Sequence, residues 1–340
     1  MIGRKKMICF ILSKFINYLI TLLFSFTLVF ILFRLIPGDP VRMYILRLEQ
    51  QGIYFGEEEI KGVAQVYIRK FGLDKDIFTQ YICYLRNIIV GDLGVSFVDF
   101  PTPVINLLKQ RLPWTIGLLG LSAIIAWIIG NTIGALISWK RKSRISDFLF
   151  SFFLIFSQIP YYFVALTLLL ILAYTFLLFP RGGAFSPALT PSFDIKFIMD
   201  VLYHAFLPSM SIIITSACGW IISMRSLMVP LLNEDYILFA KAKGLKERRI
   251  FVRYAIRNAL LPQVTGLALS LGFTASGSYI VEAIFNYPGV GKLFIDSLSL
   301  MDYNTIQCCI LLTMFLVLTA SMLIELLYVF IDPRIRYGER

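Results

Sequence analysis

Six stretches of about 20 residues or more without a single Asp, Glu, Lys or Arg restrict this chain more than any other feature: 15–33, 112–139, 148–179, 205–224, 258–281 and 303–324. A hydrocarbon layer about 30 Å thick takes roughly 20 helical residues to cross. Within it the backbone must satisfy its own hydrogen bonds, as helices do and open strands do not. The runs lack the polar/apolar alternation of barrel strands, so the expectation is an all-α integral membrane protein with six transmembrane helices. Composition agrees, because 58% of the 340 residues are hydrophobic and 16% charged, against about 25% charged in an ordinary soluble domain. The third run is too long for one upright helix and too short for two with a loop. Gln158-Ile159-Pro160 marks where it should break.

Charge orients the helices. An inside N-terminus also places inside the groups Arg4-Lys5-Lys6 with Lys14, Lys140 to Arg144, Arg225 to Arg257, and Arg334, Arg336 and Arg340. Those segments hold most of the 32 basic residues but a third of the 21 acidic ones, the bias of cytoplasmic loops. Both termini are therefore expected in the cytoplasm. The net charge of +11 follows from topology and anionic lipid, and implies no nucleic acid. Arg34-Leu35-Ile36-Pro37 follows the first run without a small-residue cleavage site, so a retained helix is expected. The organisation expected is 1–37 for the N-terminus and first span, 38–111 for an extracytoplasmic segment, 112–332 for a five-helix core, and 333–340 for a cytoplasmic tail. Within 38–111, residues 60–71 and 78–89 read as helices, while Gly91-Asp92-Leu93-Gly94 and Pro101-Thr102-Pro103 read as turns.

Catalytic chemistry is hard to assemble from what remains. His204, the single histidine, is expected at the outer end of the fourth span as an interfacial residue; it rules out a His-rich metal site. Cys9, Cys83, Cys218, Cys308 and Cys309 contain no C-x-x-C pair, and one of them, Cys83, lies in an outside loop, so neither zinc nor a disulfide framework follows. Gly289-Val290-Gly291-Lys292 lacks the spacing and terminal Ser/Thr of a phosphate loop and reads as a loop turn. Arg225, Glu282 and Glu325 sit near predicted helix ends, where they are expected to reach the interface. An ion-coupled carrier would place ionisable groups within the spans. Gly130 and Gly134 make a small-x-x-x-small pair, and Ala268, Gly272 and Ser276 a longer seam, both expected to pack helices closely.

The inside loop within 230–262 is built as a lever. Asn233 reads as an N-cap, Glu234 and Asp235 put negative charge in a first turn, Lys241 and Lys243 positive charge in a last turn, and Gly244 ends the helix. Beyond it Lys246, Arg249, Arg253 and Arg257 would fall within about an 80° arc of a second helix at 100° per residue. A basic face attracts lipid headgroups at about 1 kcal/mol per residue. A capped stub followed by a returning helix also suits docking in a partner's groove.

Tyr236-Ile237-Leu238-Phe239-Ala240-Lys241-Ala242-Lys243-Gly244-Leu245, then Glu247-Arg248-Arg249 and Arg257-Asn258-Ala259-Leu260-Leu261-Pro262, resembles the coupling loop of binding-protein-dependent ABC importer permeases of the dipeptide/oligopeptide/nickel branch. Arg34-x-x-Pro37-Gly38-Asp39-Pro40, Phe71-Gly72-Leu73, Gly91-Asp92-Leu93-Gly94-x-Ser96, Arg111-x-Pro113-x-Thr115 and Glu282-x-x-Phe285-x-x-Pro288-Gly289-x-Gly291 are similar to that branch in order and position. The general permease loop has Glu-Ala-Ala where this chain has Leu238-Phe239-Ala240. The resemblance implies a type I importer permease fold with six spans and a small extracytoplasmic helical segment, in a prokaryotic inner or plasma membrane. It implies four kinds of company: a second related permease subunit, two ATP-binding subunits, an extracytoplasmic binding protein and membrane lipid. This chain would hold no cofactor and no ATPase site, with ATP and Mg on the partners. Coupling would fall to Glu234, Asp235, Ala240, Lys241, Ala242, Lys243, Gly244, Leu245 and Arg249. An outer gate would fall to Glu282, Phe285, Pro288, Gly289 and Gly291 within 282–304. Cargo would be peptides, nickel or oligosaccharides. The alternative is an ATP-independent secondary transporter or channel, which would work as an isolated chain.

Overall fold

The computed structural model describes residues 2–35, 75–96, 98–99, 101–141, 143–274 and 278–331. The expected helix 60–71, the motif residues 37–40 and 71–73, Ser276 and the tail 333–340 lie outside them. In chain order the helices are α1 Ile2–Leu35, α2 Ile77–Val90, α3 Val104–Trp139, α4 Arg144–Phe156, α5 Tyr161–Leu168, α6 Ile195–Leu231, α7 Asp235–Ala242, α8 Glu247–Arg249, α9 Arg257–Thr274, α10 Tyr279–Ile284, α11 Val290–Ser299 and α12 Tyr303–Ile331. π-Helical turns Leu169–Thr175 and Ile250–Ile256 extend α5 and join α8 to α9. Among the described residues the one trace of β-structure is an antiparallel bridge between Val95 and Pro103.

Among the described residues four stretches are long and apolar enough to cross a membrane: Ile11–Leu35, Val104–Trp139, Ile195–Leu231 and Tyr303–Leu323. A fifth is Arg144–Phe156 with Tyr161–Thr175, bent by 90° where the sequence expected a break. Pro160 takes the N-cap of α5 at φ −61° and ψ 138°, an extended conformation that cannot continue α4. The run at 258–281 falls on α9, an 18-residue helix, and residues 275–277 beyond it are not described. Of the six spans expected, the described residues show four, or five with the bent pair.

The chain divides into two compact units, residues 1–113 with 289–340, and 114–288. In the first, α1 lies along α12 through a core of Phe26, Val29 and Leu311. The Tyr18 and Thr319 hydroxyls meet at 2.9 Å. Lys14 pairs with Glu325 at 2.9 Å, so this glutamate has a partner rather than reaching alone for the interface; half-exposed, the pair adds at most about 1 kcal/mol. Helix α2 hangs on α1 by Thr27 to Tyr81 at 2.6 Å and Tyr84 Oη to the Phe26 carbonyl at 3.1 Å. Asp76 caps α2, accepting from Thr79 N at 3.0 Å and Thr79 Oγ1 at 2.6 Å. A second core, of Val104, Leu108, Val290, Leu293, Cys308 and Cys309, gathers the start of α3 with α11 and α12.

In the second unit α3 and α6 approach closely at two glycines. A Cβ at Gly134 would lie 2.8 Å from the Ile221 carbonyl oxygen, and one at Gly130 would collide with Trp220. Polar bonds stitch α9 to the same pair: Trp127 Nε1 donates to the Gln263 carbonyl at 3.0 Å, and Gln263 Nε2 to Ser223 Oγ at 2.8 Å. Gln263 is 2% exposed, and a buried amide left without such bonds would be costly.

Helix α6 runs past both ends of its apolar stretch and takes in Lys196, Asp200 and Arg225. That corrects two expectations. His204 is not at a helix end: α6 begins at Ile195, so the imidazole is buried in the third turn, with Nδ1 2.8 Å from the Asp200 carbonyl. Nor does Arg225 reach for headgroups. Its Nη2 donates to Asp147 at 3.0 Å and its guanidinium lies 4.1 Å over the Phe150 ring, so a partner on α4 holds it.

Candidate functional site: the α6–α9 lever and the α10–α11 segment

Helix α7 forms because an apolar pair three residues apart, Ile237 and Ala240, can be buried while every charge stays outside. Both belong to a core with Ala135 of α3, Met224 and Met228 of α6, Ile250 and Ala255 of the π-helical turn, and Ala259 of α9. Leu238 and Phe239 face outward at 53% and 68% exposure. The helix is rooted in the membrane helices on one side and offers bare apolar surface on the other.

Its end is closed by backbone geometry. Gly244, at φ +68°, donates to the Lys241 carbonyl at 2.9 Å, and Leu245 N donates to the Ala240 carbonyl at 3.3 Å. That pair of bonds is a Schellman motif, and it needs the left-handed residue that glycine supplies. Its start differs from expectation. Glu234, not Asn233, occupies the N-cap, in extended conformation and with no side-chain cap bond. The Asn233 side chain is engaged elsewhere, its Oδ1 accepting from Arg141 Nη2 at 2.7 Å.

The expected second helix is also revised. Residues 247–249 make a short turn of helix, and 250–256 are π-helical. Hydrogen bonds that reach five residues along instead of four wind each residue through less than the 100° assumed. Lys246, Arg249, Arg253 and Arg257 are all exposed, but no single α-helical stripe carries them. Glu234, Asp235, Lys241, Ala242, Lys243, Gly244 and Arg249 are exposed, Ala240 is buried and Leu245 half-buried.

The residues expected to gate the outer side fall in both units. Glu282, Phe285 and Pro288 belong to 114–288, and Gly289 and Gly291 to the other. The segment is no solvated loop. Glu282 is fully buried in α10 instead of reaching an interface, and Phe285 is 1% exposed. The turn after α10 is pinned because Gly183 N donates to the Phe285 carbonyl at 2.9 Å. Asn286 sits at φ +48° in that turn. Tyr287 follows, buried edge-on to Trp114 with ring centroids 6.0 Å apart. Burial pushes its phenol above the ordinary value, and Glu282 pushes the same way. Gly289 is the N-cap of α11 and Gly291 lies within its first turn, so Gly289-Val290-Gly291-Lys292 opens a helix rather than a loop turn.

Sequence reasoning overlooked a second fixed point, in the unit formed by 1–113 and 289–340. Asp302, 1% exposed, caps α12. It accepts from Thr305 N at 3.1 Å, Thr305 Oγ1 at 2.7 Å and Ser96 Oγ at 2.5 Å. Asn304 Nδ2 donates to the Leu93 and Val95 carbonyls at 3.1 and 2.8 Å. The Gly91 to Ser96 motif is thereby tied to the start of α12. Asp302 three residues before Thr305, at the edge of an apolar run, was a readable capping signal.

Residues 130–337 match the family described as binding-protein-dependent transport system inner membrane component, and residues 7–119 match its N-terminal membrane component. The oligopeptide transport system permease protein AppB of Bacillus subtilis (strain 168) is 33% identical over 308 residues, 91% of this chain and 93% of that protein. The dipeptide transport system permease protein DppB of Lactococcus lactis subsp. cremoris (strain MG1363) is 29% identical over 97% of this chain and 100% of its own length. The glutathione transport system permease protein GsiC of Escherichia coli (strain K12) is 31% identical over 97% and 100%. Permease subunits of this kind have no ATPase site of their own and work with ATP-binding and substrate-binding partners. With several apolar helices of membrane-crossing length among the described residues and both parts of the family matched, this multi-pass membrane chain belongs to the binding-protein-dependent ABC importer permeases of the peptide/nickel family.

Proposed function

We propose that this subunit lines the path by which an extracytoplasmic binding protein's cargo, of the peptide class, enters the cell, and that ATP-binding partners drive it through α7. The observation that carries this reading is the split character of α7: Ile237 and Ala240 are buried in the membrane-helix core while Leu238 and Phe239 stand exposed. An apolar face on a rigid, rooted helix suits a partner's groove. Glu234, Asp235, Lys241, Lys243 and Arg249 surround that face with charge of both signs, which would set the register of docking. Gly244 and Leu245 fix the stub's length.

The remaining assignments complete the reading. The chain takes six spans, with α9 as the fifth, a small extracytoplasmic helical segment containing α2, and both termini in the cytoplasm of a prokaryotic inner or plasma membrane. A second related permease and two ATP-binding subunits complete the membrane complex, and nucleotide and Mg bind to those partners. Glu282, Phe285, Pro288, Gly289 and Gly291 gate the outer side. Peptide cargo rests on the names of the relatives, which are oligopeptide, dipeptide and glutathione permeases. A cysteine at Phe239 in the assembled complex should cross-link to an ATP-binding subunit and become inaccessible to a membrane-impermeant thiol reagent. Labelling of that cysteine from the outer face of sealed cells would overturn both lever and topology.

A further inference from the structure

Two arginines cross in opposite directions between α6 and the tight connection from α3 to α4. Arg141 donates through Nη1 to the Val229 carbonyl at 3.2 Å and through Nη2 to Asn233 Oδ1 at 2.7 Å. Arg225 donates through Nη1 to the Ser146 carbonyl at 3.4 Å and through Nη2 to Asp147 at 3.0 Å, with Phe150 beneath it. The Val229 carbonyl lies in the last turn of α6, where helix carbonyls lack intrahelical donors and a cation is favoured.

The connection itself is braced. Ser146 Oγ, on a residue 4% exposed, donates to the Ile137 carbonyl at 2.6 Å, which ties the start of α4 to the end of α3. Ser143 N donates to the Lys140 carbonyl at 2.9 Å and Asp147 N to the Ser143 carbonyl at 3.2 Å. Arg225 and Asn233 stand eight residues apart, the first within α6 and the second just past its end at Leu231. Two attachments at that separation resist both sliding and swinging of α6 against the connection. One of them, Asn233, directly precedes Glu234, the N-cap of α7.

We propose that Arg141 is a positioning residue that joins the α6–α7 corner to the α3–α4 connection, so that force applied to α7 reaches α3 and α4 together with α6. This rests on α7 being the lever. Without the Arg141 bonds the α6–α7 corner would swing on the connection, which Arg225 alone would still hold to α6. Asn233→Asp keeps an acceptor and turns the bond into an ion pair, whereas Asn233→Leu removes it.

The test is hydrogen-exchange mass spectrometry on the complete importer in lipid nanodiscs, with and without Mg-ATP and vanadate. In the natural complex, nucleotide should change exchange in peptides covering 226–245 and in those covering 132–150. In Arg141→Ala and in Asn233→Leu the response at 226–245 should persist and that at 132–150 should be reduced, Arg225 still holding the connection. Asn233→Asp should keep both, and the double variant should be no worse than either single one. A merely structural role predicts faster exchange at 132–150 without nucleotide and no rescue by Asp. Arg141→Ala leaving the response at 132–150 undiminished, or the natural complex showing it only at 226–245, overturns the proposal alone. No response at 226–245 in the natural complex removes the lever and this proposal with it.

Discussion

Gly244 and Gly134 lack a side chain for opposite reasons. Gly244 sits at φ +68° with nothing within 4 Å of where a Cβ would be, so backbone conformation alone constrains it. Gly134 is in ordinary helical conformation but would drive a Cβ to 2.8 Å from the Ile221 carbonyl oxygen and from Met224 Cβ. Gly244→Val should therefore cost about 1–2 kcal/mol locally, the left-handed penalty, and lower cargo moved per ATP hydrolysed in the reconstituted complex. Gly244→Asn, which tolerates that region, should stay close to the natural protein. Gly134→Leu should cost about 1–3 kcal/mol or more by overpacking, read as a lowered thermal midpoint. Gly244 was legible because charge and capping signals converge on it. The Arg225 to Asp147 pair was not, because the two residues are 78 positions apart and only the folded chain brings them together.

At the level of elements, α2 and α7 were readable nearly to their ends, since an amphipathic stretch in α2 and charges of opposite sign at the two ends of α7 each lead to a glycine stop. The π-helical turn 250–256 was not, because an extra residue in a helix is decided by what its neighbours must reach, here Ile250 and Ala255 in the core beneath α7. The Asn233 cap failed for a similar reason: propensity ranks Asn highly at such a site, but Arg141 had claimed its oxygen. Helix α2 carries a pH prediction. Both the side-chain and backbone bonds from Thr79 hold the Asp76 carboxyl below its ordinary range. A depressed acid stabilises above its unfolded value and loses that contribution as pH falls through the folded one. Amides at the start of α2 should thus exchange more slowly than in Asp76→Ala at neutral pH, with the difference vanishing in acid. A difference that persists in strong acid would show that the carboxylate is not the cap.

For the whole molecule, six apolar runs yielded the class at once, because hydrocarbon leaves a chain few ways to satisfy its backbone. They did not yield helix ends. Helix α6 extends beyond its run with Asp200 and Arg225 inside it, each held by a partner that no single-helix reading contains. The division of labour within the importer has a direct check. Proteoliposomes containing this chain alone should take up no labelled dipeptide and release no phosphate from ATP. Adding the partner permease, the ATP-binding subunits and a loaded receptor should give ATP-dependent accumulation, whereas uptake by the lone chain would revive the secondary-carrier alternative.

The Trp127, Gln263 and Ser223 bonds bear on how such a machine moves. In oil a severed amide finds no water to replace what it lost, so parting α9 from α3 and α6 would strand dipoles with nowhere to turn. Those three rods are therefore welded into a raft. Alternation between inward and outward openings must be found at its margins, and sensors placed across the weld should stay silent through the cycle.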